Sequence, residues 1–164
     1  MWCSRAVVAA VLCANLAACG FQLRGQATLP FARLYLPGAS PLAVELRRNV
    51  IAGTHTKLSA GERDAQAVLG LTHESREKVI LSFTPSGQVR EFQLRYRVGF
   101  RLYDPKGRNF IPPNEIQLTR DVSFNEGQVL AKESEEELLF RDMQRDMVQQ
   151  IIRRLVAVKV PTDR

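Results

Sequence analysis

One stretch constrains the fold more than any other. Phe92, Leu94, Tyr96, Val98, Phe100 and Leu102 alternate with Glu91, Gln93, Arg95, Arg97, Gly99 and Arg101. A sustained period of two marks a β-strand with one buried face and one wet face. Extended over residues 89–103, that strand would reach about 45–50 Å if unbroken. Its apolar side needs a covering layer.

The flanks of this strand carry turn signals. Thr84-Pro85-Ser86-Gly87 and Asp104-Pro105-Lys106-Gly107 each place Pro second and Gly fourth, the grammar of a type I turn. Residues 64–73 form the expected preceding strand. The charged run 74–78 interrupts it and 79–83 resume it, through either a bulge or a turn. Residues 115–124 form the strand that follows. There Ile116, Leu118, Val122 and Phe124 share one face, and Arg120 falls on the same parity. Either a bulge turns Arg120 outward, or it is buried against a partner.

Two helices complete the pattern. Residues 31–36 read as a first strand ended by Pro37-Gly38. Ser40 then offers an N-cap, Pro41 suits the first helical position, and Leu42, Leu46 and Val50 repeat on one face. Gly53 closes this helix. Residues 134–156 form the closing helix, with a Ser134–Glu137 capping box and the stripe Phe140, Met143, Met147, Ile151 and Leu155. The expected fold is α+β. It is a two-layer sandwich of a four-stranded, mainly antiparallel sheet with two helices on one face, in the order β-α-β-β-β-α. The wet face bearing Arg95, Arg97 and Arg101 must point away from the helices.

The N-terminus sets the compartment. A charge at Arg5, an apolar run over residues 6–12 and small residues up to Cys19 build a secretory signal. A helix over residues 6–18 would be about 20 Å long, too short for a hydrocarbon core of about 30 Å. Leu16-Ala17-Ala18-Cys19-Gly20 looks like a bacterial lipobox, in which the Cys19 sulfur takes the lipid and becomes the first mature residue. Gly20 is not the Asp that would hold such a protein at the inner membrane, so the expected address is the outer membrane. The organisation is then a signal at 1–18, a lipidated tether at 19–30 and one domain at 31–164. Loss of residues 1–18 leaves 146 of the 164 residues, removes Cys3 and Cys13, and lowers the formal charge from +6 to +5. With 45% hydrophobic and 24% charged residues, the composition is that of an ordinary globular domain. The modest, unclustered excess of positive charge does not mark a nucleic-acid binder.

Catalytic signals are missing. His55 and His73 are the two histidines, with no thiol and no acidic cluster at ligand spacing. No metal or cofactor is expected, and no Gly-x-Ser-x-Gly elbow or phosphate loop is present. His73, Glu74 and Glu77 read as a solvated strand end. The chain is read as a non-enzyme. Arg90, Arg95, Arg97, Arg101 and Lys132 are candidate contacts for anionic head groups or polar partner side chains, since Arg forks suit phosphates.

Several short segments resemble one family in order and spacing: Cys19-Gly20-Phe21-Gln22-Leu23-Arg24-Gly25, then Gly87-Gln88 with Glu91-Phe92-Gln93-Leu94, then Thr119-Arg120, then Leu130-Ala131-Lys132. Together they are similar to the lipopolysaccharide-assembly lipoproteins, the LptE family. That resemblance implies a lipoprotein that plugs the outer-membrane β-barrel LptD and supports lipopolysaccharide delivery to the outer leaflet. It also implies direct lipopolysaccharide binding. Lys132 matches a basic position of the family. The basic residue of the preceding hairpin turn is replaced here by Thr84 and Pro85, which shifts that charge to Arg90. The competing expectation is a stand-alone periplasmic lipid-binding or chaperone lipoprotein, which would need an apolar cavity.

Overall fold

The computed structural model of the chain describes residues 27–124 and 129–159. The signal segment, Cys19 and most of the tether lie outside them. In chain order the elements are β1 (Arg33–Tyr35), α1 (Pro41–Gly53), β2 (Lys57–Leu58), a 3-10 turn (Glu62–Asp64), β3 (Ala67–Phe83), β4 (Val89–Tyr103), β5 (Asn109–Ser123) and α2 (Val129–Val156). The sheet runs β2-β1-β3-β4-β5. β1 is parallel to β2 and β3, whereas β3, β4 and β5 are antiparallel.

The α+β class holds, with five strands in place of the expected four. The extra strand, β2, spans two residues and is too short to leave a periodic signal. The closing helix also starts earlier than residue 134. Leu130 and Ala131, both strong helix formers, carry it upstream, so the Ser134–Glu137 pair lies inside the helix.

The first helix follows its sequence closely. Ser40 Oγ accepts the Ala43 N–H at 3.2 Å, and Leu42, Ala43, Leu46 and Val50 are buried. β4 presents Leu94, Tyr96, Val98, Phe100 and Leu102 to the same core, all fully buried. Met143, Met147, Ile151 and Leu155 of α2 close that core from above. Each such side chain contributes about 1.5–3 kcal/mol by leaving water.

Residues 74–78 form neither a bulge nor a turn: they pair in unbroken register with Val98 to Leu94 inside one continuous strand, and the irregularities flank them, at Leu71/His73 and from Ile80 to Phe83. Leu71 pairs with Phe100 and His73 with Gly99, leaving Thr72 as the extra residue. Gly99 is the other half of this bulge. A Cβ there would lie 2.6 Å from Thr72 Oγ1, closer than real contacts allow. Between β4 and β5 a bulge covers Pro112 and Pro113, between the pairs Phe100–Asn114 and Leu102–Ile111. β5 is an edge strand, where prolines cost no interior ladder bond.

Both hairpin turns form as their sequences dictate. Gly87 N–H donates to Thr84 O, and Gly107 N–H to Asp104 O, each at 2.9 Å. Gly87 and Gly107 have φ of +83° and +87°, which completes a three-residue loop.

The layers differ in length. The 13 residues of α1 span about 20 Å and the 28 of α2 about 42 Å. Gln144 Nε2 donates to Glu45 Oε2 at 2.6 Å, and Gln149 Nε2 to Asn49 Oδ1 at 3.2 Å, so the helices run in the same direction. The proximal end of the sheet is where the chain enters, with Ala27 N–H donating to Gly53 O. The distal end is the β3–β4 turn, toward which α2 reaches as far as Lys78 and Ser123.

Candidate functional site

The candidate residues separate into three places. Arg90 and Lys132 meet at the distal corner. Arg90 O accepts the Phe124 N–H at 2.9 Å, and Lys132 Nζ lies 3.5 Å from Ser123 Oγ. Lys132 also pairs with Glu135 at 2.8 Å, and Arg90 with Glu91 at 3.4 Å. At the same corner Phe92 and Phe124 form an edge-to-face pair at 5.3 Å. Lys78, which the sequence did not single out, sits 4.4 Å from the Phe92 ring centroid and pairs with Glu136 at 2.6 Å. The corner is therefore a cationic rim around an aromatic pair, with each cation lightly held by a carboxylate.

Arg95 and Arg97 occupy the helix-free face, as the alternation requires. Both side chains are engaged there, Arg97 by a carboxylate and Arg95 by an amide. Arg97 pairs with Glu77, Arg95 Nε donates to Gln93 Oε1 at 2.9 Å, and Gln93 Nε2 donates to Asp121 Oδ1 at 3.0 Å. Ser75 stands opposite Arg97 in register. Ser75 Oγ and Arg97 Nε are buried without a hydrogen-bond partner among the described residues. The result is a polar ladder rather than a bare basic stripe. Arg101 lies on the same face nearer the proximal end, 4.4 Å over the Tyr103 ring.

Arg120 is not turned outward by a bulge. No register shift falls near it, so it stays on the helix side opposite Leu94. It is not buried. Its Nη2 donates to Asp146 Oδ2 of α2 at 2.9 Å, and both side chains are about half exposed. An arginine on apolar parity is tolerated because an edge strand lets it reach past the helix to water.

A second interlayer contact lies across the sheet. Arg76 donates to Gln144 Oε1 at 2.7 Å and stacks over Tyr96 and Phe140. Tyr96 O–H donates to Glu74 Oε1 at 2.7 Å. Burial, followed by the Glu74 carboxylate, pushes the Tyr96 phenol well above its usual range. Asp104 shifts the other way. Its bond from Arg108, helped by the Arg108 and Lys106 N–H groups, holds the carboxyl below the usual range against the opposing effect of burial.

His55 and His73 are both exposed and far apart in sequence. No group of three or more His, Cys, Asp or Glu side chains suited to a metal occurs among the described residues. No described helix is long and apolar enough to cross a membrane. Among the described residues, the chemistry is that of docking faces.

A family model described as "LptE: Lipopolysaccharide-assembly" matches residues 31–155, most of the chain. The chain belongs to the LptE family. It is 29% identical over 147 residues to the LPS-assembly lipoprotein LptE of Photorhabdus laumondii, covering 87% of this chain and 79% of the relative. The same identity holds against LptE of Yersinia pestis, with 70% of that relative covered. Among solved structures, the chain is similar to lipoprotein B of Nitrosomonas europaea, with 43% identity, a TM-score of 0.74, and 84% and 91% of the two chains covered. The rare lipoprotein B of Shewanella oneidensis follows with 26% identity, a TM-score of 0.63, and 76% and 94% covered. As a family member, the chain is a lipoprotein of lipopolysaccharide assembly.

Proposed function

We propose that the chain is a lipid-anchored, non-enzymatic plug of the outer-membrane barrel LptD, held to the membrane through Cys19. The observation that carries this reading is the helix-free sheet face. Along its middle, Glu77 pairs Arg97 while Arg95 donates to Gln93 and Gln93 to Asp121, so this stretch offers a polar, hydrogen-bonding surface of the kind that suits a barrel lumen. A stand-alone lipid carrier would need an apolar cavity between the layers. That space is filled by Leu34, Leu42, Leu46, Phe100 and Met147, all fully buried.

Lipopolysaccharide would be met at the distal corner. Arg90 and Lys132 supply cations for its phosphates, and the Phe92–Phe124 pair supplies an apolar surface at the same corner.

The test is affinity capture of the acylated protein from detergent-solubilised outer membranes. A large β-barrel protein recovered in equal amount is the expected result. Recovery without any barrel would overturn the plug reading. Mass spectrometry of the mature N-terminus checks the anchor separately, and an unmodified Cys19 would overturn it. At the corner, Arg90→Ala with Lys132→Ala should weaken lipopolysaccharide binding while barrel capture persists.

A further inference from the structure

The proximal end of the helix-free face differs from the polar ladder beside it. Leu34 is fully buried in the core, so Arg33 and Tyr35 of β1 face the opposite side. Lys57 is the register partner of Arg33. Tyr35 pairs with Val68, and Val68 with Tyr103, which makes one row across three strands. Val68 is fully buried although it belongs to the side without helices and stands outside the main core cluster. Tyr35 and Tyr103 flank it in that row. In the next row Gly70 leaves space that Tyr103 Cε1 and Arg101 Cγ fill, at 3.5 and 3.7 Å from where a Cβ would be.

The charges here are not absorbed. Arg33, Lys57 and Arg101 are exposed, and none has an acidic partner among the described residues. The nearest carboxylate of this face in the register is Glu115, opposite Gly99. Two like charges side by side at Arg33 and Lys57 are unfavourable unless something anionic faces them. Two half-buried tyrosines beside three cations is the composition of a membrane-interface surface.

We propose that this proximal patch is a docking surface for an anionic phospholipid bilayer. The inference rests on the reading of Cys19 as the lipid anchor, because chain length then fixes the distance. Ala27, where the chain is already bonded to Gly53, lies eight residues beyond Cys19. Fully extended they reach about 26–29 Å. The proximal end therefore cannot leave the vicinity of the leaflet that holds the lipid. The patch turns that leash into a defined orientation, with Arg33, Lys57 and Arg101 against head-group phosphates.

The experiment uses the chain from residue 19 onward carrying Cys19→Ser, so that no acyl chain contributes. Sedimentation with vesicles of phosphatidylcholine and phosphatidylglycerol is compared with sedimentation on pure phosphatidylcholine. Binding should favour the anionic vesicles about tenfold or more. The combined variant Arg33→Ser, Lys57→Ser and Arg101→Ser should lose that preference. Equal charge removal from the helix layer, at Arg48, Arg141 and Arg145, should leave most of it. Equal loss in both variants would reduce the effect to net charge and overturn the proposal, as would no preference in the parent. A second readout does not depend on folding of the triple variant. The sole tryptophan, Trp2, is absent from this chain, so Tyr103→Trp is a single reporter. Its emission should shift to the blue with anionic vesicles, and an unmoved spectrum overturns the proposal. The acylation state of Cys19 is measured independently, so the two failures are distinguishable.

Discussion

The two ends of the β3–β4 hairpin are built on different principles. At the proximal end, Leu69, Phe100 and Leu102 are fully buried beneath both helices. At the distal end, Ile80, Leu81 and Phe83 are 49, 46 and 58% exposed, and α2 is joined to the sheet by Lys78–Glu136 and Arg76–Gln144. Apolar burial stabilises without a partner, whereas exposed ion pairs contribute about 0–1 kcal/mol each. The proximal half thus supports itself. The distal half is held in shape and left open, which is what a surface made for docking requires.

The largest effect should separate the two ends directly. Phe100→Ala is expected to cost about 3–5 kcal/mol in denaturant unfolding, because it empties the centre of the core. Phe83→Ser, at the other end of the same hairpin, should change stability by no more than about 0.5 kcal/mol. Comparable losses at both positions would break the comparison.

The bulge between the two ends comes next. Gly99→Ala places a Cβ against Thr72 Oγ1 and should destabilise by about 1–3 kcal/mol. Removing the obstructing oxygen with Thr72→Ala in the same chain should recover more than half of that loss. No recovery would mean that His73, whose Cβ would lie 3.4 Å away, sets the limit instead.

How much of this was legible depends on signal length. The six apolar positions of β4, the Ser40 cap and both Pro-Gly turns rest on local patterns, and each formed as expected. β2 was invisible because two residues carry no period. Gly99 looked like a solvent-facing position of the alternation. Its need for glycine arises from Thr72 on another strand, which no local pattern records. The same applies to the arginines. Sequence parity put Arg95, Arg97 and Arg101 on one face, but the pairing that absorbs Arg97 and leaves Arg101 free is set by cross-strand register. Lys78 and Asp146 were missed because their roles exist only across the interlayer gap.

The two turns offer a comparison in pH. At the proximal turn, Asp104 accepts from the Lys106 and Arg108 N–H groups, where the distal turn has the neutral Thr84 hydroxyl accepting from Gln88 N–H. The folded Asp104 carboxyl is held below its usual range of about 3.9. Its stabilising contribution is therefore complete above the unfolded value and is lost as pH falls through the folded one. Asp104→Asn should flatten the acid limb of a stability–pH curve, whereas Thr84→Ala should leave its shape unchanged. An unaltered acid limb in Asp104→Asn would assign the acid sensitivity to other carboxylates.

A small effect on stability is expected at Arg120. Its bond to Asp146 joins two side chains that are 49 and 52% exposed, so Arg120→Ala should cost about 0–1 kcal/mol. The position still discriminates between roles. It stands on the edge strand β5, where a barrel wall would approach, and Asp146 holds its guanidinium at the rim of the helix layer. If the plug reading is right, Arg120→Ala should reduce barrel capture from solubilised outer membranes while the melting temperature barely moves. Asp146→Asn, which frees the guanidinium but keeps it, should reduce capture less. A clear fall in melting temperature with capture intact would make Arg120 a fastening of the fold, and the distal half would then be more self-sufficient than its exposed side chains imply.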